Sequence, residues 1–492
     1  MKEQVIHFGL TLPKLPDQGN VKVVNPIRAI GALSVTQQAL FWSGWLAWLV
    51  DAYDFFCVSL TVIRLDGQFN VNDHSLTTAI TLSLLLRSIG SFIIGIAADR
   101  YGRKWPLVII LLVIAALQVG TGFVQTFHQF LAVRSLFGIA MGGVWGLASA
   151  TAMENMPAQS RGLYSGFMQV GYPGGYLLAS VVNLFLVPET PQTWRSIFWV
   201  GAGLSIFAAG VRVLLPESAV FQRANEAARE ANMTSKDKTK LFIHSFIEMV
   251  RKHWGLWVYG VVLMSGMNFI SHGSQDLYTT FMQRTKGFSS SLSTKANIVG
   301  ECGAVAGAIL GGYASQFLGR RLTLILACLW ACAFIPLWIL PNSWSALSVG
   351  AFFFQLGVNI GWGTISVYLN ELAPEGFRGL YPGTVYQLGN AASSAAAQIE
   401  ATAGLHITKI VDGVIQPDYG TVQAIMAACS AGIILLSVAF GPELHSIDLE
   451  SEGTAIEVGV GNLDRRNVTV EEISSTKGSL EKKEDIVHEE LV

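Results

Sequence analysis

Within the run from Trp257 to Ile298 stand Asn268, Ser271, His272, Ser274, Gln275, Asp276 and Thr280, a dense group of polar side chains with apolar sequence on both sides. A free imidazole titrates near about 6.5, and a carboxylate four residues further along a helix can share its proton. At about 100° per residue, Asn268, Ser271, His272, Gln275 and Thr279 fall on one helical face, with Asp276 at its margin. In a membrane helix such a stripe costs free energy unless it faces protein, water or a ligand. It is therefore a candidate site for a proton and a polar cargo.

Other residues offer matching chemistry. Arg87 lies in the middle of an apolar helix, far from either end, where it cannot reach the interface and should face a cavity. Its planar fork suits a carboxylate, but an ion pair with Asp51 or Asp54 that locks helices together is the competing reading. Gln387, Asn390, Ser394 and Gln398 recur at helical spacing. They fit either an anion-orienting face or plain helix–helix bonding. Glu301, beside Gly300 and Gly303, either carries a proton or sits neutral in a tight interface.

Membrane helices must position all of these. Of 492 residues, 51% are hydrophobic and 13% charged, against about 25% charged in ordinary globular proteins. Apolar runs long enough to cross a bilayer recur twelve times, from 39–62 to 421–440, with the fifth at 162–187 and the eleventh at 379–402. The chain divides into an N-terminal segment 1–38, a six-helix bundle 39–215, a hydrophilic central loop 216–252, a second bundle 253–441 and a tail 442–492. Cations concentrate in the loops on the side of the central segment, so both termini are expected to be cytoplasmic. The sequence also repeats itself. Gly95, Gly102 and Arg103 return 217 residues later as Gly312, Gly319 and Arg320. At the same offset Glu154, Arg161, Gly162 and Tyr164 return as Glu371, Arg378, Gly379 and Tyr381, and Trp145 as Trp362. One register shared by separate motifs implies two parallel six-helix halves.

The run Gly95 to Lys104 resembles the loop motif between the second and third helices of the major facilitator superfamily, and Arg134 with Gly138 and Gly142, and Pro216-Glu217-Ser218, resemble further motifs of it. The second loop copy departs from the pattern at Gln316. This resemblance implies an all-α polytopic fold of twelve transmembrane helices. The pattern Asn-x-x-Ser-His-x-Ser-Gln-Asp-x-x-x-Thr, Asn268 to Thr280, resembles the hallmark of fungal lactate/pyruvate:proton symporters, as do Asp51 and Asp54 in their setting. It implies proton-driven carboxylate uptake at the plasma membrane. Arg87, Asn268, His272, Gln275, Gln387 and Asn390 are then the candidates for cargo, and His272, Asp276, Asp51, Asp54 and Glu301 for the proton. Asp99, Arg103, Arg134, Glu154, Arg161, Arg320, Glu371 and Arg378 are expected at cytoplasmic helix ends, as gating or packing residues.

A dicarboxylate:proton symporter and a carboxylate sensor are the alternatives. Signs of an enzyme are missing: the sequence has no phosphate loop, zinc-type spacing or nucleophile elbow, and no cofactor or metal is expected. The expected partners are a small carboxylate, a proton and the lipid bilayer. Nucleic acid is not expected, although the net charge of −2 is uninformative there. The acidic tail reads as a solvated, disordered chain whose Ser, Thr and Lys residues are candidate sites for ubiquitin-type regulation.

Overall fold

A computed structural model describes residues 13, 15, 31 and 33–443, except 72, 154, 155, 157–159, 218, 231–234, 375, 376, 378, 379, 412 and 413. The N-terminal half contains α1 (Val35–Phe69), α2 (Asp73–Tyr101), α3 (Lys104–Phe123), α4 (Phe127–Met141), α5 (Val144–Met153), α6 (Arg161–Gln169), α7 (Gly171–Phe185) and α8 (Arg195–Leu214). After α9 (Ala219–Glu230) and α10 (Ser235–Lys252) comes the second half. It comprises α11 (Trp254–Gln275), α12 (Tyr278–Arg284), α13 (Ser290–Leu318), α14 (Arg320–Ile339), α15 (Trp344–Leu372), α16 (Leu380–Ser393), α17 (Ala396–His406), a hairpin of β1 (Thr408–Val411) and β2 (Val414–Pro417), and α18 (Tyr419–Phe440).

Ten helical stretches among the described residues are long and apolar enough to cross a membrane. The fifth and eleventh expected spans complete the twelve, each as two shorter helices end to end: α6 with α7, and α16 with α17. Their breaks fall at different heights, at Val170 and at Ser394–Ala395. The fold is that of a twelve-helix all-α membrane protein.

Solvation explains which face of each helix turns outward. On α2, Leu85, Ile89, Phe92 and Ile96 are exposed, whereas Ser83, Arg87 and Ser91 are buried. Lipid tails solvate the apolar stripe, and the polar stripe finds partners inside the bundle. The helix ends follow ordinary chemistry. Ser34 accepts from the Gln37 backbone N–H at 3.2 Å while its own N–H reaches Gln37 Oε1 at 2.9 Å, closing a capping box on α1. Gly102 and Gly319 end α2 and α13 at φ of 93° and 83°, a backbone region that glycine enters without a Cβ penalty.

The central segment, expected as a loop, is instead largely two helices. Phe246, Met249 and Val250 line one face of α10 and pack against Phe377, Leu380 and Trp257, so an amphipathic helix docks on the second half. The antiparallel hairpin pairs Thr408 with Pro417 and Val411 with Val414, adding strand structure that the sequence reading did not include.

The halves meet along α6 and α7 against α13, α6 against α15, and α2 against α16 and α17. One interface contact reflects the repeat. Ser149 Oγ lies 3.3 Å from Ser366 Oγ, its own counterpart at the 217-residue offset. Gly166 and Gly312 bring α6 and α13 so close that a Cβ on Gly312 would stand 2.6 Å from the Gly166 Cα.

Candidate functional site

A cavity lies between the halves. The N-terminal half contributes Trp48 from α1, Gln169 from α6 and Tyr172 from α7. From the other half come Asn268, Ser271 and His272 on α11, Asn359 and Trp362 on α15, and Tyr386 on α16. Aromatic rings make much of the wall. Trp48 stacks on Tyr172 at 5.2 Å, and Tyr386 meets Trp48, Trp145 and Trp362 at 6.1, 4.5 and 5.8 Å. The duplicated tryptophans both donate to side chains lining the cavity: Trp145 Nε1 to Gln169 Oε1 at 3.3 Å, and Trp362 Nε1 to Ser271 Oγ at 2.6 Å.

His272 stands at the centre of a hydrogen-bonded chain. Its Nδ1 lies 3.2 Å from both oxygens of Asp276, and its Nε2 lies 3.1 Å from Asn390 Oδ1. Asn390 Nδ2 donates to Gln387 Oε1 at 2.9 Å, and Gln387 Nε2 donates to the Gly142 carbonyl at 3.1 Å. The chain thus starts in the second half and ends on a peptide oxygen of the first. Phe55 meets the imidazole edge-on at 5.6 Å.

The polar stripe is not one helix. The first helix stops at Gln275, the Asp276 N–H bonds back to the His272 carbonyl at 3.0 Å, and Tyr278 starts α12, so Thr279 leaves the shared face. Gln275 also departs from the expected cargo set. Its amide donates to Gln355 Oε1 at 3.3 Å, and Gln355 in turn donates to Ser274 at 3.2 Å, which ties α11 to α15. Gln387 supports Asn390 from behind the cavity wall rather than forming it. Asp276 is held by His272; the loop cations Arg284 and Lys286 go instead to Asp66 Oδ2 at 3.1 Å and to the Pro341 carbonyl at 2.8 Å.

Arg87 makes the ion pair that the competing reading required: its Nη2 lies 3.0 Å from Asp51 Oδ2, with both residues buried. The pair leaves Arg87 Nε and Nη1 and Asp51 Oδ1 without protein partners, so it is incompletely satisfied. Asp54 accepts from Ser205 Oγ at 3.0 Å inside the N-terminal half. Glu301 on α13 is buried, with Oε2 unpartnered.

Among the expected gating residues, Arg320 binds Glu371 through two bonds of 2.9 Å, Nε to Oε2 and Nη2 to Oε1. That contact joins α14 to α15 within one half, so it does not itself bridge the halves. Arg161 Nη2 donates to the Met156 carbonyl at 3.1 Å, and Arg103 is buried. Arg134 departs from expectation. It lies two turns from the start of α4, at the opposite end from Glu371, and donates to Gln118 Oε1 at 2.7 Å and to Thr121 while resting on Phe137 and Phe198. A cation so placed can be enclosed because amide, hydroxyl and aromatic faces surround it. Glu154, Arg378 and the Asp99 side chain lie outside the described residues.

Beyond the last membrane helix, Glu443 accepts from the Arg320 and Arg321 N–H groups at 2.8 and 3.1 Å, capping the buried N-terminus of α14. Tyr368 Oη donates to the Pro442 carbonyl at 2.7 Å beside it. Burial pushes the Glu443 carboxyl above its ordinary range, and the two N–H groups oppose that shift.

Comparison with known proteins adds four likenesses. The family pattern described as Major Facilitator Superfamily matches residues 44–397. A "Carboxylic acid transporter protein homolog" of Saccharomyces cerevisiae is 33% identical over 444 residues, covering 87% of this chain and 72% of the relative. A "Probable 4-methylmuconolactone transporter" of Cupriavidus pinatubonensis is 26% identical, covering 86% of this chain and 94% of the relative. Among solved structures, the xylose transporter XylE from E. coli in a partially occluded inward-open conformation superposes with a TM-score of 0.65 at 17% identity, covering 83% of this chain and 99% of that one.

Proposed function

The chain belongs to the major facilitator superfamily, and from that premise we propose that it is a carboxylate transporter that carries a short-chain monocarboxylate such as lactate or pyruvate together with a proton. The observation that carries this reading is His272, which contacts Asp276 on one side and Asn390 on the other at the wall of a cavity between the halves. The yeast relative named for carboxylic acid transport supports the cargo class. The lining supports a small cargo: indole and phenol rings confine it, and the Ser271 hydroxyl and the second amide hydrogen of Asn359 offer hydrogen bonds to its oxygens.

In the proposed cycle a proton loads on the His272–Asp276 pair from the end remote from the termini. A proton on Asp51 weakens its hold on Arg87 and releases guanidinium hydrogens toward the anion. With charges neutralised, the halves rock and the cavity opens to the termini side, which we place in the cytoplasm with the protein in the plasma membrane. Arg103, Arg161, Arg320 and Glu371 stiffen the ends of each half during that motion. The test is uptake of labelled lactate or pyruvate into proteoliposomes across an imposed pH gradient. Accumulation abolished by a protonophore is the expected result; flux indifferent to the gradient overturns the coupling.

A further inference from the structure

One buried acid has no part in the cycle above. Glu400 sits on α17, fully enclosed, at the end of the bundle remote from the termini. Its Oε2 accepts from Gln423 Nε2 on α18 at 2.9 Å, while Glu400 Oε1 and Gln423 Oε1 both lack partners. The carboxyl lies beside Gly273: a Cβ there would stand in ordinary contact with Glu400 Oε1 at 3.7 Å, and 3.1 Å from Met426 Cε. Gly273 directly follows His272 and sits three residues before Asp276 on the same helix face.

The surroundings match a neutral carboxyl rather than a carboxylate. On the side of α11, the charged group acting on Glu400 is Asp276, an acid. From α18 it meets the neutral Gln423, and α2 offers Thr78 to the neighbouring Gln398 at 2.9 Å. An isolated buried anion is costly, and the usual escape is to hold a proton. A proton on Oε1 also supplies the donor that Gln423 Oε1 lacks, completing a two-bond acid–amide pair. The first half makes the opposite choice at the equivalent position, 217 residues earlier. There Asn183 stands and accepts from Arg64 Nη1 at 3.0 Å.

We propose that Glu400 is a proton-carrying residue that relays protons between the outer end of the bundle and the Asp276–His272 pair, past Gly273. In the transfer, the O–H bond at Glu400 Oε1 breaks and a new O–H bond forms on the Asp276 carboxylate. Glu400 is left as the anion until it takes a proton from the outer side. The relay role rests on the proton-coupled reading above, whereas the protonated state of Glu400 does not.

Two measurements on the full-length protein separate these. Infrared difference spectra of wild type against Glu400→Gln at neutral pH should show loss of a carboxylic-acid carbonyl band that shifts in D₂O, and Glu400→Asp should move the band rather than remove it. No such band in either comparison overturns the proposal, and Glu400→Asp alone decides it should the glutamine variant fail to fold. In proteoliposomes, lactate-driven proton uptake should fall at least about tenfold in Glu400→Gln and return in part in Glu400→Asp. Uptake equal to wild type with an unshifted pH profile overturns the relay. Failure of the coupled reading looks different: wild type itself moves no protons with lactate, while the infrared band still reports on Glu400.

Discussion

Gln387 Nε2 donates to the Gly142 carbonyl at 3.1 Å, across the boundary between the halves. A peptide oxygen only accepts, so this bond sets the direction of the whole chain. Gln387 Oε1 must accept from Asn390, Asn390 Oδ1 must face His272, and Nε2 of the ring must donate. The other ring nitrogen faces a carboxyl at 3.2 Å. A bond there requires a proton between them, whether it is drawn on Nδ1 or on Asp276. In the cycle proposed above, a bond of this form belongs to the proton-loaded state of the pair.

Asn390→Ala should therefore leave Nε2 facing an apolar surface. The cost of a buried unsatisfied donor is about 1–3 kcal/mol, roughly tenfold in affinity or more. Initial uptake rates across external pH should show a weakened cargo KM and a displaced pH profile; an unchanged profile would show that the ring needs no acceptor.

Arg87 and Asp51 predict opposite changes. Arg87→Lys keeps the charge but loses the fork, and carboxylate affinity should drop by about tenfold. Asp51→Asn frees the guanidinium, so binding should tighten and lose part of its dependence on pH. Binding isotherms at two pH values on the purified protein decide both.

Trp362→Phe keeps the ring packing but removes the N–H that reaches Ser271 at 2.6 Å. A neutral hydrogen bond contributes about 1 kcal/mol, so the expected loss is several-fold in affinity with thermal stability nearly unchanged. Equal losses of stability and affinity would assign the indole to packing.

Glu371→Gln breaks a buried two-bond ion pair on Arg320 and leaves the cation uncompensated. Loss of one partner from such a pair costs about 3–5 kcal/mol, which should appear as a lower Tm in detergent. Because both partners belong to one half, cargo affinity in the surviving folded fraction should change little.

Glu443 gives a pH signature. Its carboxyl is raised in the folded chain, so the folded state binds the proton more tightly than the unfolded one. The resulting stabilisation is full below the ordinary carboxylate range and is lost as pH rises through the raised value. Tm measured across that window should fall more steeply in wild type than in Glu443→Gln, and parallel curves would refute the assignment.

Much of this architecture is legible in the sequence, because hydropathy marks the spans and the 217-residue register marks the halves. His272, Asp276 and Asn390 are legible too, since polar groups in apolar helices have few reasons to exist. The break after Gln275 is not, because the stripe keeps helical periodicity through the point where the Leu277 backbone leaves helical dihedrals, at φ −116° and ψ 15°. Asp412-Gly413 between two short apolar runs is a hairpin signal, but runs so short leave no mark in a pattern of membrane-length spans. Trp48, Tyr172 and Tyr386 carry no local mark, since an aromatic residue facing a cavity and one facing lipid look the same in sequence. Trp362 was marked by its duplicate Trp145, and Glu400 by being an acid in an apolar span.

The contact between Ser149 and Ser366 has a geometric meaning. A residue that touches its own repeat partner lies on the pseudo-two-fold axis, so exchanging the shapes of the two halves returns that contact to itself. Off-axis contacts lack this property. The image of Gly166 on Gly312 is Gly383 on Gly95, yet Gly95 faces Leu380 and Gly383 faces Gly146. In the rocking motion proposed above the serine pair would be the fulcrum, and the unequal glycine contacts on either side would mark which way the lever is tipped.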